Sequence, residues 1–294
     1  MTTVEDLLDW AEQEIARSKN VDLWRKMDAR VNAEDLLSGV LGKQVTSDDL
    51  DDEVPSDQAG RFRRYVKRRV AGEPVALILG KTQFMGMDLK VRKGVFVPRN
   101  SSELLASKAI SRLRSSNRKI GVDVASGTGP VALAMAKRVP GSDVYGLDIW
   151  SPSLAVGRSN AKSLGLSNVT FLKSDMLQRL PRKLQGSVDV FTMHPPYVAR
   201  RYLRTLPAEI KEFEPHTSLS DLSADGLRLV RLLADEAPDW LRPGGWVMVE
   251  VSPDLSRKVK TILSRAGFEK VKSEKDSLGA TRVISGSKPR TTPR

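Results

Sequence analysis

His194 heads the segment His194-Pro195-Pro196-Tyr197, directly after the apolar run VDVFTM. Proline cannot donate to a sheet ladder, so a strand stops here and a stiff loop begins. Histidine titrates near neutral pH, which makes it a useful general base for a hydroxyl, amine or imidazole nucleophile. Three acids close other strand-like runs: Asp123 in KIGVDVAS, Asp148 in DVYGLDIW and Asp175 in VTFLKSD. The chain has no cysteine and only one further histidine, His216. Disulfides, thiol catalysis, cysteine metal sites and histidine-rich metal sites are therefore excluded.

The run VDVASGTGPVALAMA places Gly127 and Gly129 between a strand and a helix. Glycines there let the backbone approach a ligand, and the helix N-terminus favours negative charge. Asp148 stands where an acid at the tip of the second strand grips a ribose through its hydroxyls. Asp175 is placed to face an adenine amino group. Two nucleotide cofactors suit this layout. A nicotinamide enzyme would usually carry G-x-G-x-x-G, whereas the register here is A-S-G-T-G-P, with no pyrophosphate fingerprint. S-adenosylmethionine fits better, with Asp123 near the ammonium of its methionine part and Asp148 on both ribose hydroxyls. The plain alternative for Asp148 is capping of the helix that starts near Pro152.

The elements that must position these residues follow from periodicity. Residues 1–76 read as helical. VEDLLDWAEQEIA has Leu7, Leu8, Ala11 and Ile15 at helical spacing, and VNAEDLLSGVLG has Ala33, Leu36, Leu37 and Val40, with Gly42 as a stop. RFRRYVKRRVAG has an apolar stripe of Phe62, Tyr65, Val66 and Val70. Its other positions, Arg61, Arg63, Arg64, Lys67, Arg68 and Arg69, form a solvated or phosphate-docking face. From 77 to 97 the period changes to two, predicting a hairpin linker. From about 103 strands and helices alternate to residue 288. That pattern predicts an α/β, doubly wound, mostly parallel sheet with ligands at the carboxyl ends of its strands. Residues 289–294 read as a loose basic tail.

Hydrophobic residues make up 40% of the chain and charged residues 29%, as in a soluble globular protein. The N-terminus lacks a signal-peptide pattern and no run is long enough to span a bilayer, so a cytoplasmic location is expected. A formal charge of +12 suits nucleic acid, a ribosome or an acidic partner. Aromatics are only 5%, which leaves no aromatic-rich groove for nucleic acid.

These residues, in this order, resemble the HemK/PrmC glutamine methyltransferases, which methylate the side-chain amide of a glutamine in peptide-chain release factors. The resemblance runs through RRVAGEPVALILG, GVFVPRNSSELL, DVASGTGPVALAMA, GLDIWSPSLAVGRSNA, HPPYV and EFEPHTSLSDLSADGLRLVRLLADEAPDWLRPGGWVMVEV. It implies a class I, Rossmann-like methyltransferase domain over 98–288, a hairpin linker over 77–97 and a helical partner-recognition domain over 1–76. It implies S-adenosylmethionine held by Asp123, Ala125, Gly127 and Gly129, by Asp148 and Ile149, by Asp175 and Met176, and by Arg99. It implies an acceptor site made by His194, Pro195, Pro196, Tyr197 and Glu103.

Three departures fall on functional positions. The family's Asn-Pro-Pro-Tyr is His194-Pro195-Pro196-Tyr197 here. Its Pro-Arg-Pro-Glu-Thr-Glu is Pro98-Arg99-Asn100-Ser101-Ser102-Glu103, and its first loop glycine is Ala125. Asparagine offers a donor and an acceptor to a glutamine amide, whereas an imidazole faces it with one nitrogen only. Loss of one buried hydrogen bond costs about 1–3 kcal/mol. The acceptor is therefore a protein glutamine, or a small molecule of specialised metabolism with His194 as base for methylation, elimination or cyclisation. The remaining alternatives are an adenine-type nucleic-acid acceptor and a non-catalytic binding module. His216 reads as a rim residue.

Overall fold

A computed structural model describes residues 2–22 and 28–290; residues 291–294 of the tail lie outside the described residues. The chain divides into two compact units. The first comprises Met1–Thr82, Val91–Lys93 and Arg204–Glu214, and the second comprises Gln83–Lys90, Gly94–Leu203 and Pro215–Arg294.

The first unit is helical: α1 (Val4–Ala16), α2 (Asp28–Leu41), α3 (Ser56–Val70) and α4 (Val75–Leu79). Thr3 and Asp6 form a reciprocal capping box that starts α1. Leu7, Leu8, Ala11 and Ile15 pack with Ala33, Leu36, Leu37, Phe62 and Val66 in one core. Arg69 departs from the expected solvated face. It is buried, its Nε donates to Asn32 Oδ1 at 2.6 Å, and it pairs with Glu209 at 2.9 Å. The strand period also begins later than expected. Residues 75–79 are the helical turn α4, ended by Gly80 at φ +72°, and pairing is confined to β1 (Lys81–Phe84) and β2 (Met87–Lys90).

The second unit continues with α5 (Ser102–Arg114), β3 (Ile120–Val124), α6 (Pro130–Arg138), β4 (Asp143–Asp148), α7 (Ser151–Ser163), β5 (Val169–Lys173) and β6 (Val188–Met193). After α8 (Ala208–Phe213), which belongs to the first unit, come α9 (His216–Leu219), α10 (Arg228–Trp240), β7 (Leu241–Glu250), α11 (Ser256–Arg265), β8 (Glu269–Lys275) and β9 (Thr281–Ser287). The sheet order is β5-β4-β3-β6-β7-β9-β8. Pairing is parallel from β5 to β7 and antiparallel for β7-β9 and β9-β8. The doubly wound, mostly parallel sheet is as expected. From β3 the chain winds outward to β4 and β5, then returns to the other side at β6. The crevice between β3 and β6 is the switch point where such sheets bind ligands.

Register then decides which residues meet. Val124 of β3 pairs with Met193 of β6, and Met193 pairs with Val249 of β7. The next residue on each strand path is Ala125, His194 and Glu250. Three chemically distinct positions thus leave the sheet side by side.

Candidate active site

A cavity of about 260 Å³ opens at these strand ends. Asp123, Ala125, Gly127, Asp148, Ile149, Asp175, Met176, Arg99, His194 and Pro196 all line it. Gly129, Pro195, Tyr197 and Glu103 do not reach its wall. Glu103 instead serves the hairpin turn, where its Oε1 accepts the Met85 N–H at 2.6 Å. His216 is exposed, while its neighbours Pro215 and Thr217 line the cavity.

The loop after β3 is shaped by local strain and by one acid. Gly129 lies at φ +81°, and a Cβ there would come within 2.4 Å of the Phe171 ring. Only glycine satisfies both constraints. Ala125 stands at φ +53°, where the family's glycine would be at ease. Its methyl matters through that backbone conformation, which costs about 1–2 kcal/mol. Ala125→Gly relieves it and adds about 0.4–1 kcal/mol of unfolded-chain entropy. Thermal unfolding is therefore expected to show the variant equal to, or up to about 1.5 kcal/mol above, the parent. Met176 (φ +46°) and Leu222 (φ +61°) are further cavity residues held in the left-handed region.

Asp148 ties two loops together. Its Oδ2 accepts the Gly127 N–H at 2.8 Å and its Oδ1 the Trp150 N–H at 2.7 Å. The bond to Trp150 is an Asx-type turn ahead of α7, whose N-cap is Trp150 with no side-chain cap, so the capping alternative is not realised, and each oxygen keeps a lone pair for a ligand hydroxyl. Burial pushes the Asp148 pKa up, against the pull of these backbone donors. Asp123 is buried, and its oxygens accept from Ser126 Oγ and Thr192 Oγ1, both at 2.7 Å. Thr192 is its register partner across β3 and β6. Burial raises the Asp123 pKa to about 6 despite those two hydroxyls. No ion pair reaches Asp123 or Asp148 among the described residues. Asp123, Asp148, Asp175 and Asp221 face Arg99 and Arg228 across the wall, so a basic chain encloses an acidic pocket. Buried carboxylates that lack a cation suit a ligand bearing sulfonium and ammonium charge and oppose a pyrophosphate. The residues present therefore fit S-adenosylmethionine.

His194 is partly buried. Its ring stacks on Tyr197 (5.6 Å, 27°) and meets the edge of Phe96 (5.6 Å, 88°). Nδ1 lies 3.2 Å from Ser102 Oγ and 3.5 Å from Glu250 Oε2. Burial lowers the His194 pKa, with Glu250 opposing the shift and Arg99 adding to it. The stretch behind the histidine is zipped to a second segment. Val198 N–H donates to Leu219 O, Asp221 N–H to Pro196 O, and Arg200 N–H to Ser223 O.

Sequence reasoning missed Phe96, Ser102, Trp150, the Thr217–Leu222 stretch and Glu250. Trp150 lies two residues after Asp148 in the sequence, so a search of residues near the acid would have found it. Glu250 ends an apolar strand, as Asp148 does, and the same signal points to it.

A family model described as a methyltransferase domain matches residues 115–279, and one described as the PrmC N-terminal domain matches residues 6–80. A release factor glutamine methyltransferase of Geobacter sulfurreducens is 31% identical over 97% of this chain and 96% of its own length. The chain belongs to the release factor glutamine methyltransferase family. A second such relative, from Rhodopirellula baltica, is 32% identical over 97% of this chain and 96% of its own length. This member of the family is an S-adenosylmethionine-dependent methyltransferase. The solved 16S rRNA N2 G1207 methyltransferase of T. thermophilus, in complex with AdoMet and guanosine, matches with a TM-score of 0.50 at 19% identity. That match covers 71% of this chain and 49% of the other, and it shows the shared class I fold. The small-molecule, nucleic-acid and binding-module readings find no support among the relatives. Among the described residues no helix is long and apolar enough to cross a membrane.

Proposed function

We propose that this methyltransferase modifies the side-chain amide nitrogen of a glutamine in a peptide-chain release factor. The observation that carries it is near-full-length similarity to enzymes named for that reaction, on a chain whose HPPY loop adjoins an acidic cavity. Residues 1–76 serve as the region that recognises the protein substrate, 77–97 as linker and 98–288 as the catalytic domain, in a cytoplasmic setting.

Asp148 takes the ribose hydroxyls, Asp175 and Met176 the adenine end, and Ile149, half exposed beside it, an adenine face. Asp123 faces the cationic methionine part, Arg99 its carboxylate, and Gly127 with Ala125 lets the backbone come close. Gly129 acts through the loop, and Glu103 through the hairpin turn. S-adenosylmethionine, when bound, supplies a sulfonium methyl, so that a neutral amide leaves as an N-methyl amide with one proton and a thioether. The protein's task is to align a poor nucleophile and to exclude water. His194 Nε2, at the cavity wall, accepts one amide proton, while Pro195, behind the wall, stiffens the loop that carries it. Tyr197 fixes the imidazole plane by stacking.

Labelled methyl transfer to a purified release factor tests this. Label is expected in the intact protein and not in a variant whose target glutamine is alanine; equal labelling of both would refute it. The cofactor assignment carries its own pH signature. Asp123 must be ionised to face a cation, and its native pKa is about 6. Affinity for S-adenosylmethionine, measured by calorimetry, is expected to fall about tenfold between pH 7.5 and pH 5. Asp123→Asn is expected to bind weakly and lose that dependence. The same raised pKa acts oppositely on stability. Folding without ligand takes up a proton at Asp123, so this group's stability cost is full above pH about 6 and disappears towards pH 3.8.

A further inference from the structure

Glu250 is the last residue of β7, buried within the second unit, with its side chain 3% exposed. Its Oε1 accepts from Ser101 Oγ at 2.7 Å. Its Oε2 is buried and accepts no hydrogen bond. A buried carboxylate oxygen in that position wants a donor. His194 Nδ1 lies 3.5 Å away, brought there by the Met193–Val249 pairing. Ser102 Oγ, 3.2 Å from the same Nδ1, lies at the start of α5. Nε2, at the opposite side of the ring, makes no hydrogen bond among the described residues, and His194 lines the cavity.

The two rewritten motifs are therefore a single arrangement. The histidine of HPPY is met at Nδ1 by the second serine of PRNSSE, and the first serine holds the carboxylate that faces the same nitrogen. We propose that Glu250 is a positioning residue that keeps His194 in its Nδ1–H tautomer, so that Nε2 presents an accepting lone pair to the acceptor amide, with Ser101 and Ser102 completing the hold. This rests on the proposed function for the identity of the acceptor, though the tautomer itself does not depend on it.

The consequence is specific. Held this way, the imidazole accepts and does not donate, so it selects an acceptor group that has a proton to give, N–H or O–H. A primary carboxamide meets that demand. As the amide nitrogen is methylated, one N–H electron pair stays on nitrogen and the proton passes to Nε2. The resulting imidazolium then has the Glu250 carboxylate behind it. The charged and titratable groups that face the ring are Glu250 from β7, Arg99 from the segment before α5, and Tyr197 from the ring's own loop. Glu250 pulls the histidine's pKa upward; Arg99 and burial pull it down.

Nitrogen-15 NMR of the imidazoles reads the tautomer directly, and with two histidines His194→Asn assigns the signals. Above its titration the wild type is expected to show Nδ1 protonated and Nε2 bare. In Glu250→Gln the carboxamide N–H donates to Nδ1, and the proton is expected to move to Nε2. General-base help is worth about 10²–10⁴-fold in kcat, and a wrong tautomer forfeits it while geometry is otherwise kept. The same fall is expected here, with KM for the release factor little changed and the histidine's titration midpoint moved to lower pH. Glu250→Asp is expected to restore the Nδ1–H signal and part of kcat. Wild-type protein showing Nε2–H would overturn the proposal, as would Glu250→Gln with an unchanged tautomer and unchanged kcat. If Glu250→Gln fails to fold, the wild-type spectrum and Ser102→Ala still decide it. An Nδ1–H histidine in a protein that methylates no release factor would count against the proposed substrate and not against the Glu250 assignment.

Discussion

Gly226→Ala is expected to lower methyl transfer by about 100-fold or more while leaving S-adenosylmethionine affinity within a few-fold. Gly226 lies at φ +72°, and a Cβ there would stand 2.0 Å from the Tyr197 carbonyl oxygen and 2.6 Å from its carbonyl carbon. Both are backbone atoms, so no side-chain rotation relieves the clash. The segment that must yield runs out of the His194 loop, and the bonds from Val198, Arg200 and Asp221 hold it in place. Displacing it shifts the imidazole and both prolines by more than in-line methyl transfer tolerates, since a misplacement of about 1 Å can cost 10²-fold. The left-handed alanine and the broken contacts are expected to cost about 2–4 kcal/mol of stability as well. Cofactor affinity is spared because the residues assigned to it stand at the ends of β3, β4 and β5 and, for Arg99, just before α5, away from the Gly226–Tyr197 contact. Single-turnover transfer beside calorimetry separates the two effects. Near-parental transfer rates in Gly226→Ala would contradict this account of the loop.

Asp148→Ala is expected to have the opposite profile, with cofactor binding lost before anything else. One carboxylate accepts N–H groups from the loops after β3 and β4, and its remaining lone pairs are assigned to the ribose. Its removal leaves the Gly127 and Trp150 N–H groups unpaired and takes away the charged acceptor. Hydrogen bonds to a charged group are worth about 1.5–3 kcal/mol each, so loss of about 100-fold or more in affinity follows. Asp148→Asn keeps one acceptor oxygen and is expected to lie between. Calorimetry with S-adenosylmethionine measures both. Unaltered affinity in Asp148→Ala would remove this residue from the cofactor site.

Much of the site could be read in the sequence because it lies at strand ends, where short motifs and strand periodicity coincide. Asp123, Asp148 and His194 each follow an apolar run, and the parallel sheet brings such ends together. What stayed hidden depends on register or on distant partners. Glu250 reads as an ordinary strand terminus until Met193–Val249 pairing sets it beside His194. Arg69 reads as one more solvated arginine because Glu209, its partner, is remote in the chain. Gly226 gives no signal, since its need for glycine comes from the Tyr197 carbonyl. Glu103 reads as a site acid because it sits in a motif of the family, yet its carboxylate is spent on the Met85 N–H. Ala125 reads as a steric change, whereas its backbone angle is what a glycine would ease.

The identity of the acceptor is open to direct measurement. Purified enzyme, S-adenosylmethionine and a release factor from the same source would be incubated together, and the product digested and sequenced by mass spectrometry. A single methyl group on the side-chain amide of one glutamine is the predicted result, absent when His194→Ala replaces the parent. A cofactor-binding enzyme that leaves every release-factor glutamine unmodified, or that places the methyl on another residue type, would contradict it.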